Sequence, residues 1–131
     1  MKVAYICDKN HYLKKMSRVR FHSMQAIEKM LTKRNFVWTG PNWENFDNSK
    51  SVDENLNNID FKPDIIVGYK PLEIKGFADS KYPKCVRYNE MYDTEWTTKE
   101  INESNTDVVI CHHKNDHEDW KDIKLQKTVK F

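Results

Sequence analysis

Glycine is scarce, with three residues in 131, and no long apolar run occurs. Each shortage excludes something. A dinucleotide pyrophosphate is held by close backbone approach at a helix N-terminus, which a G-x-G-x-x-G loop provides. No such loop follows the first apolar segment, so NAD or FAD binding is not expected, and no Walker sequence is present to cradle a phosphate. The apolar run inside MKVAYICDKNHYLKK is too short for a signal-peptide core or a membrane span, which points to a soluble cytoplasmic protein with no transmembrane segment. Cysteine is scarce and odd in number: Cys7, Cys85 and Cys111 have no short spacing, so they form no disulfide framework and suit a reducing compartment. Charge of one sign is also missing. Lys and Arg number 22 against 20 Asp and Glu, a net charge of +2, which gives no electrostatic footprint for nucleic acid. The local basic run Lys14, Lys15, Arg18, Arg20 reads as a solvated helix start.

What is present is a single domain's length and 12% aromatic residues, too many for a disordered chain. Strand and helix patterns alternate. KVAYIC (2–7) is a continuous apolar run, as in a strand buried on both faces. Met24, Ile27 and Leu31 then recur at helical spacing, on a helix ending near Asn35. FVWTG is a second strand. Ser51 with Glu54 makes a capping box for a helix whose face carries Val52, Leu56 and Ile59. IIVGY after Pro63 and Asp64 is the clearest strand, and PLEIKGFADSKY is a short connection with room for a helical turn. CVRY is the fourth strand. Thr97 with Glu100 repeats the capping-box pattern, DVVIC (107–111) is the fifth strand, Asn115 with Glu118 opens a short helix, and KTVKF is a sixth strand. Strands separated by helices mean βαβ units, so the expected architecture is one α/β domain over residues 1–131, Rossmann-like, with a doubly wound, mostly parallel sheet.

Open sheets of this kind bind ligands beyond the carboxyl ends of their strands. Four segments should share that rim: Asp8 to His11, including Asn10; Gly68 to Pro71, with Tyr69 and Lys70; Asn89 to Asp93; and His112 to Asp116, with His113. The candidate catalytic groups are the carboxylates Glu90 and Asp93. Asp93 and Glu95 also suit the acid-favouring first turn of a helix, whereas Glu90 sits closer to the strand end. Tyr92 and Trp96 read as core or domain-contact aromatics before sugar platforms. CHHKNDH (111–117) offers potential metal ligands, but adjacent histidines on an extended chain point apart and no ligand spacing supports them, so no metal is expected. Strand three ends Gly68-Tyr69-Lys70 without an aspartate, which argues against a receiver domain.

The order of elements, with MKVAYICD at the start, the helix RFHSMQAIEKMLTKRN, PDIIVGYKP, KCVRYNEMYD and SNTDVVICHH, resembles the N-terminal half of a GT-B glycosyltransferase of the group that uses nucleotide sugars. The resemblance covers nearly the whole chain and rests on element order rather than on a strict motif. It implies two Rossmann-like domains facing across a cleft, of which this one binds the carbohydrate acceptor. The nucleotide sugar, the donor co-substrate, would belong to a C-terminal domain missing from this chain, and no cofactor would be bound here. Carried over by position, Asn89 and Glu90 face the cleft together with Asp8 to His11 and His112 to His113. Glu90 would then orient an acceptor hydroxyl or act as its base. The sequence departs from the family in its first loop, DKNHYLKKMSR in place of a glycine-rich one, and in Asn89-Glu90 where the family has a pair such as His-Asp. Alone, the chain would bind an acceptor weakly and not turn over. Two alternatives stay open. One is a non-catalytic binding module with an apolar patch around Trp38, Trp43 and Phe46. The other is a small flavodoxin-like or other Rossmann enzyme using Asp8, Glu90 and His112, which would bind a nucleotide by itself.

Overall fold

The structure, a computed structural model, describes residues 1–10, 18–32, 34–88, 93–111 and 124–130. Five parallel strands form one sheet: β1 (Val3–Ile6), β2 (Phe36–Thr39), β3 (Ile65–Gly68), β4 (Lys84–Tyr88) and β5 (Val108–Cys111), in the order β2-β1-β3-β4-β5. Among the described residues they are accompanied by the α-helices α1 (Arg18–Leu31), α2 (Val52–Asn58) and α3 (Thr94–Glu103) and by a 3₁₀ turn at Pro71–Glu73. This is the α/β, Rossmann-like architecture expected, in the second of the two common doubly wound strand orders, with its reversal between β1 and β3.

Register sorts the side chains into two layers. Val3 pairs with Phe36 on one side and Ile65 on the other, and Cys85 pairs with Val108. Val3, Tyr5, Cys7, Val67 and Cys85 therefore share a face, where Leu31 of α1 packs. Ala4, Ile6 and Ile66 face the other way, against Val52 and Leu56 of α2 and against Ile74 and Phe77 beyond the 3₁₀ turn. Val86 and Val109 continue that second layer under Ile101 of α3. All four residues of β1 are buried, as a strand with helices on both sides requires.

The Ser51 capping box is present. Glu54 N–H donates to Ser51 Oγ at 3.3 Å, and Ser51 N–H donates to Glu54 Oε2 at 2.7 Å. The loop before it is tied down by Asn55, which is buried in α2. Its Nδ2 donates to the carbonyls of Asp47 (3.0 Å) and Ser51 (2.9 Å), while its Oδ1 accepts from Asp47 N–H at 2.7 Å.

Several expectations need correction. The second capping box does not form: α3 starts four residues earlier, with Asp93 rather than Thr97 as N-cap, accepting from Trp96 N–H at 2.9 Å. Thr97 and Glu100 then fall inside the helix and turn inward, where both are buried. α1 stops at Leu31 rather than near Asn35, because Thr32 takes a left-handed conformation (φ 63°) and its carbonyl accepts from Asn35 N–H at 3.1 Å. The C-terminal segment makes one parallel bridge, Lys130 to Val108, instead of a strand. Trp38, Trp43 and Phe46 do not form an exposed patch. Trp38 and Trp43 stack at 5.8 Å and pack on one layer, and Phe46 packs on the other. The helix expected at Asn115 to Glu118 lies outside the described residues. Among the described residues, no helix is long and apolar enough to cross a membrane.

Candidate functional site

The carboxyl ends of the strands are shaped by what replaces a full crossover helix between β3 and β4. Lys70, in a left-handed conformation (φ 52°), turns the chain directly into the three-residue 3₁₀ turn, with Pro71 pre-set for its first position. So short a turn leaves a hollow where a longer helix would pack. That cleft, about 390 Å³, is bounded by the ends of β3 and β4, the 3₁₀ turn and the start of α3. A smaller hollow of about 100 Å³ adjoins it at the β1–β3 reversal, lined by Asp8, Pro41, Tyr69, Lys70, Glu73 and Ile74. Tyr69, Lys70 and Glu73 belong to both.

At the centre of the larger cleft, Tyr88 Oη donates to Glu100 Oε1 at 2.5 Å. Tyr88 ends β4 and Glu100 sits on the inward face of α3, so the bond ties strand to helix across the hollow. Burial pushes the Glu100 carboxyl above its usual range, opposed by the Tyr88 hydrogen bond. The Glu73 charge adds to the rise and Lys70 offsets part of it. The Tyr88 hydroxyl is pushed up as well, by burial first and then by the Glu100 charge. Lys70 Nζ pairs with Glu73 at 3.3 Å. Trp96 stands at the wall, 50% exposed, with Lys99 Nζ 5.8 Å from its ring centroid. It is therefore not a core aromatic, one of the two readings its sequence suggested.

Of the expected site residues, Tyr69, Lys70 and Asp93 line the larger cleft, and Asp8 joins Tyr69 and Lys70 in the smaller one. Asp8 Oδ2 accepts from Asn42 Nδ2 at 2.8 Å. Asp93 spends one carboxylate oxygen on capping α3. Asn10 is exposed and lines neither hollow. His11, Asn89, Glu90, His112 and His113 lie outside the described residues. Tyr88 and Asp93, the described residues that precede and follow 89–92 in sequence, both line the cleft. Sequence reasoning missed Tyr88 and Glu100. The available signal was the spacing of Thr97 and Glu100, and it suggested a cap. Among the described residues, no three His, Cys, Asp or Glu side chains cluster to hold a metal ion.

The raised Glu100 carboxyl makes a pH prediction. A folded state that holds the neutral acid more readily than the unfolded chain gains stability fully below the ordinary glutamate value of 4.5, and loses it as pH rises through the folded value. Glu54, Asp47 and Glu44 are held below their usual values and act in the opposite sense, but they are common to wild type and variant and cancel. Thermal melts should therefore show Glu100→Gln gaining stability relative to wild type as pH rises from about 4.5 towards 8, because the amide never ionises. Parallel curves across that range would mean that Glu100 titrates as it does in the unfolded chain.

Fold and site together define a doubly wound α/β domain with a polar, aromatic-walled cleft at the carboxyl ends of its third and fourth strands. No protein-family model matches the chain, and no curated protein or solved structure does either.

Proposed function

We propose that this cleft binds a carbohydrate acceptor, and that the domain is the acceptor-binding half of an enzyme that moves a sugar from a nucleotide sugar to an acceptor hydroxyl. The observation that carries the reading is the half-exposed Trp96 beside the Tyr88–Glu100 pair, in a hollow within the roughly 300–1,000 Å³ of small-molecule sites. An aromatic face takes the C–H surface of a sugar ring, while carboxylate, hydroxyl and ammonium groups take its hydroxyls. A base for the acceptor hydroxyl must lie within hydrogen-bond reach of it and have a suitable pKa. Glu90 is the group proposed for that role. The absence of a glycine-rich loop at either hollow supports leaving the nucleotide to a second domain.

Ligand-observed NMR on the chain, against simple sugars and against nucleotide sugars, tests this. Sugars should bind weakly, and Trp96→Ala should weaken them about five- to tenfold, the worth of one aromatic contact. Glu90→Ala should weaken them too. Tight binding of a nucleotide by the isolated chain would sink the two-domain reading and favour a self-sufficient nucleotide-binding enzyme. Binding of neither class would leave the fold without an acceptor site.

A further inference from the structure

The sheet face opposite α2 and α3 is unevenly covered. Among the described residues α1 is the one helix on it, and α1 and Trp43 sit towards the β2 edge, where Trp38 Nε1 donates to Glu28 Oε2 at 3.1 Å and Leu31 joins the core. Where the chain is next described beyond β5, Leu125 and Val129 pack on the other face, with Val86 and Ile101. The result is an open apolar groove of about 500 Å³. Val67, Cys85, Val108 and Ile110 form its floor, and Ile27 and Met30 form a wall along α1. Met30 is 82% exposed and Ile110 43%. Apolar groups grouped this way on one face mark an interaction site more often than scattered ones do.

Among the described residues, one charged side chain breaks the apolar lining. Arg87, half-buried at the end of β4, reaches the groove and has no hydrogen-bond or ion-pair partner among the described residues. A guanidinium at the edge of an apolar surface is desolvated in part, and an incoming carboxylate would satisfy it. Among the described residues, no acidic one lines the groove. A second copy meeting this face through the same patch would therefore bring no carboxylate to Arg87. All-parallel sheets carry helices on both faces, and among the described residues no helix lies beside α1 over β3, β4 and β5.

We propose that this groove receives an amphipathic helix of a partner protein, laid beside α1 across β3 to β5, with an acidic side chain set against Arg87. Apolar residues at i, i+3, i+4 and i+7 would fill the floor, as in other helix-in-groove contacts. The proposal does not rest on the sugar cleft, which opens at the carboxyl ends of the strands, although Arg87 lines both the cleft and the groove.

The test uses two synthetic helical peptides about four turns long. Both carry a leucine stripe at that spacing and differ only in a Glu or a Lys at the end meant for Arg87. Amide NMR of the labelled chain should show shifts concentrated in β3 to β5 and the last turn of α1. The Glu peptide should bind about tenfold more tightly than the Lys peptide, and Arg87→Glu should reverse that order. Ile110→Asp should abolish binding of both while leaving the melt unchanged. Equal affinity of the two peptides, shifts confined to the sugar cleft, or no shifts would each overturn the proposal. So would two competing results: laurate binding at these residues more tightly than either peptide, which would make the groove a lipid site, or the same shifts arising with protein concentration alone, which would make it a contact between copies.

Discussion

Gly40→Ala is expected to cost the domain about 3–5 kcal/mol, a large part of the roughly 5–15 kcal/mol that holds a small domain together. Two effects add. Gly40 has a φ of 129°, a backbone region that side-chain-bearing residues rarely adopt. A Cβ there would also stand 2.4 Å from the carbonyl oxygen and 2.8 Å from the nitrogen of Cys7. Both contacts are backbone, so no side-chain rotation relieves them. Cys7 cannot retreat easily, because its N–H donates to Thr39 O at 3.0 Å and its carbonyl accepts from Trp43 Nε1 at 3.0 Å. The close approach brings the end of β2 onto the end of β1 and holds the loop that carries Asn42, the partner of Asp8. Urea denaturation reads the loss as a fall in midpoint at constant slope. An unchanged midpoint would mean that residues 39–43 can move off β1 at little cost.

Phe77→Ala should be of similar size, about 3–5 kcal/mol, the usual cost of deleting a fully buried aromatic ring. Phe77 is completely buried and packs with Ile6, Val52 and Leu56. Its ring also explains a glycine at the cleft. A Cβ on Gly68 would meet Phe77 Cζ at 2.6 Å and Cε2 at 2.7 Å. The two positions should thus be coupled. Gly68→Ala should cost about 1–3 kcal/mol in the wild-type chain by overpacking, and much less where Phe77→Ala has emptied the space. A double-mutant cycle by denaturation measures the difference, and simple additivity would show that the ring is not what keeps position 68 small. Because Gly68 also lines the cleft, Phe77→Ala should weaken acceptor binding along with stability.

Much of the fold was legible in the sequence because burial on both faces leaves a plain mark. VAYI and IIVG are continuous apolar runs, and each is a strand. The Ser51–Glu54 pattern was read correctly, whereas the identical spacing at Thr97 and Glu100 misled. What separates them is Asp93, a strong N-cap residue that begins the helix a turn earlier and converts the second pair into inward-facing positions. The role of Asn55 could not be read, because a helix-interior asparagine looks like a surface residue until the loop that it holds is in place.

The site was legible only at its rim. Reading the residues after each strand found Tyr69, Lys70 and Asp93 at the larger cleft and Asp8 at the smaller, since strand ends follow from strands. The cleft's own position did not follow. Strand-order reversal points to β1–β3, where the hollow is small, while the short 3₁₀ turn moves the larger space one strand along. That depends on a connection length whose consequence appears only once β3 and β4 are paired. Glu100 was missed for a related reason, since an acid on the inward face of a helix is recognised by its partner, and Tyr88 is twelve residues away.

The buried thiols give the chain an internal clock. Cys7 and Cys85 lie in the sheet at 0% and 1% exposure, and burial pushes each up to about 12, so neither offers a thiolate to a reagent at neutral pH. Cys111, half-buried at the end of β5, is the more accessible sulfur. Alkylation of Cys7 therefore counts openings at the end of β1, and alkylation of Cys85 counts openings of β4 beneath the apolar groove. Unequal rates would reveal which half of the sheet breathes first, and a helix seated in the groove should slow the second clock without touching the first.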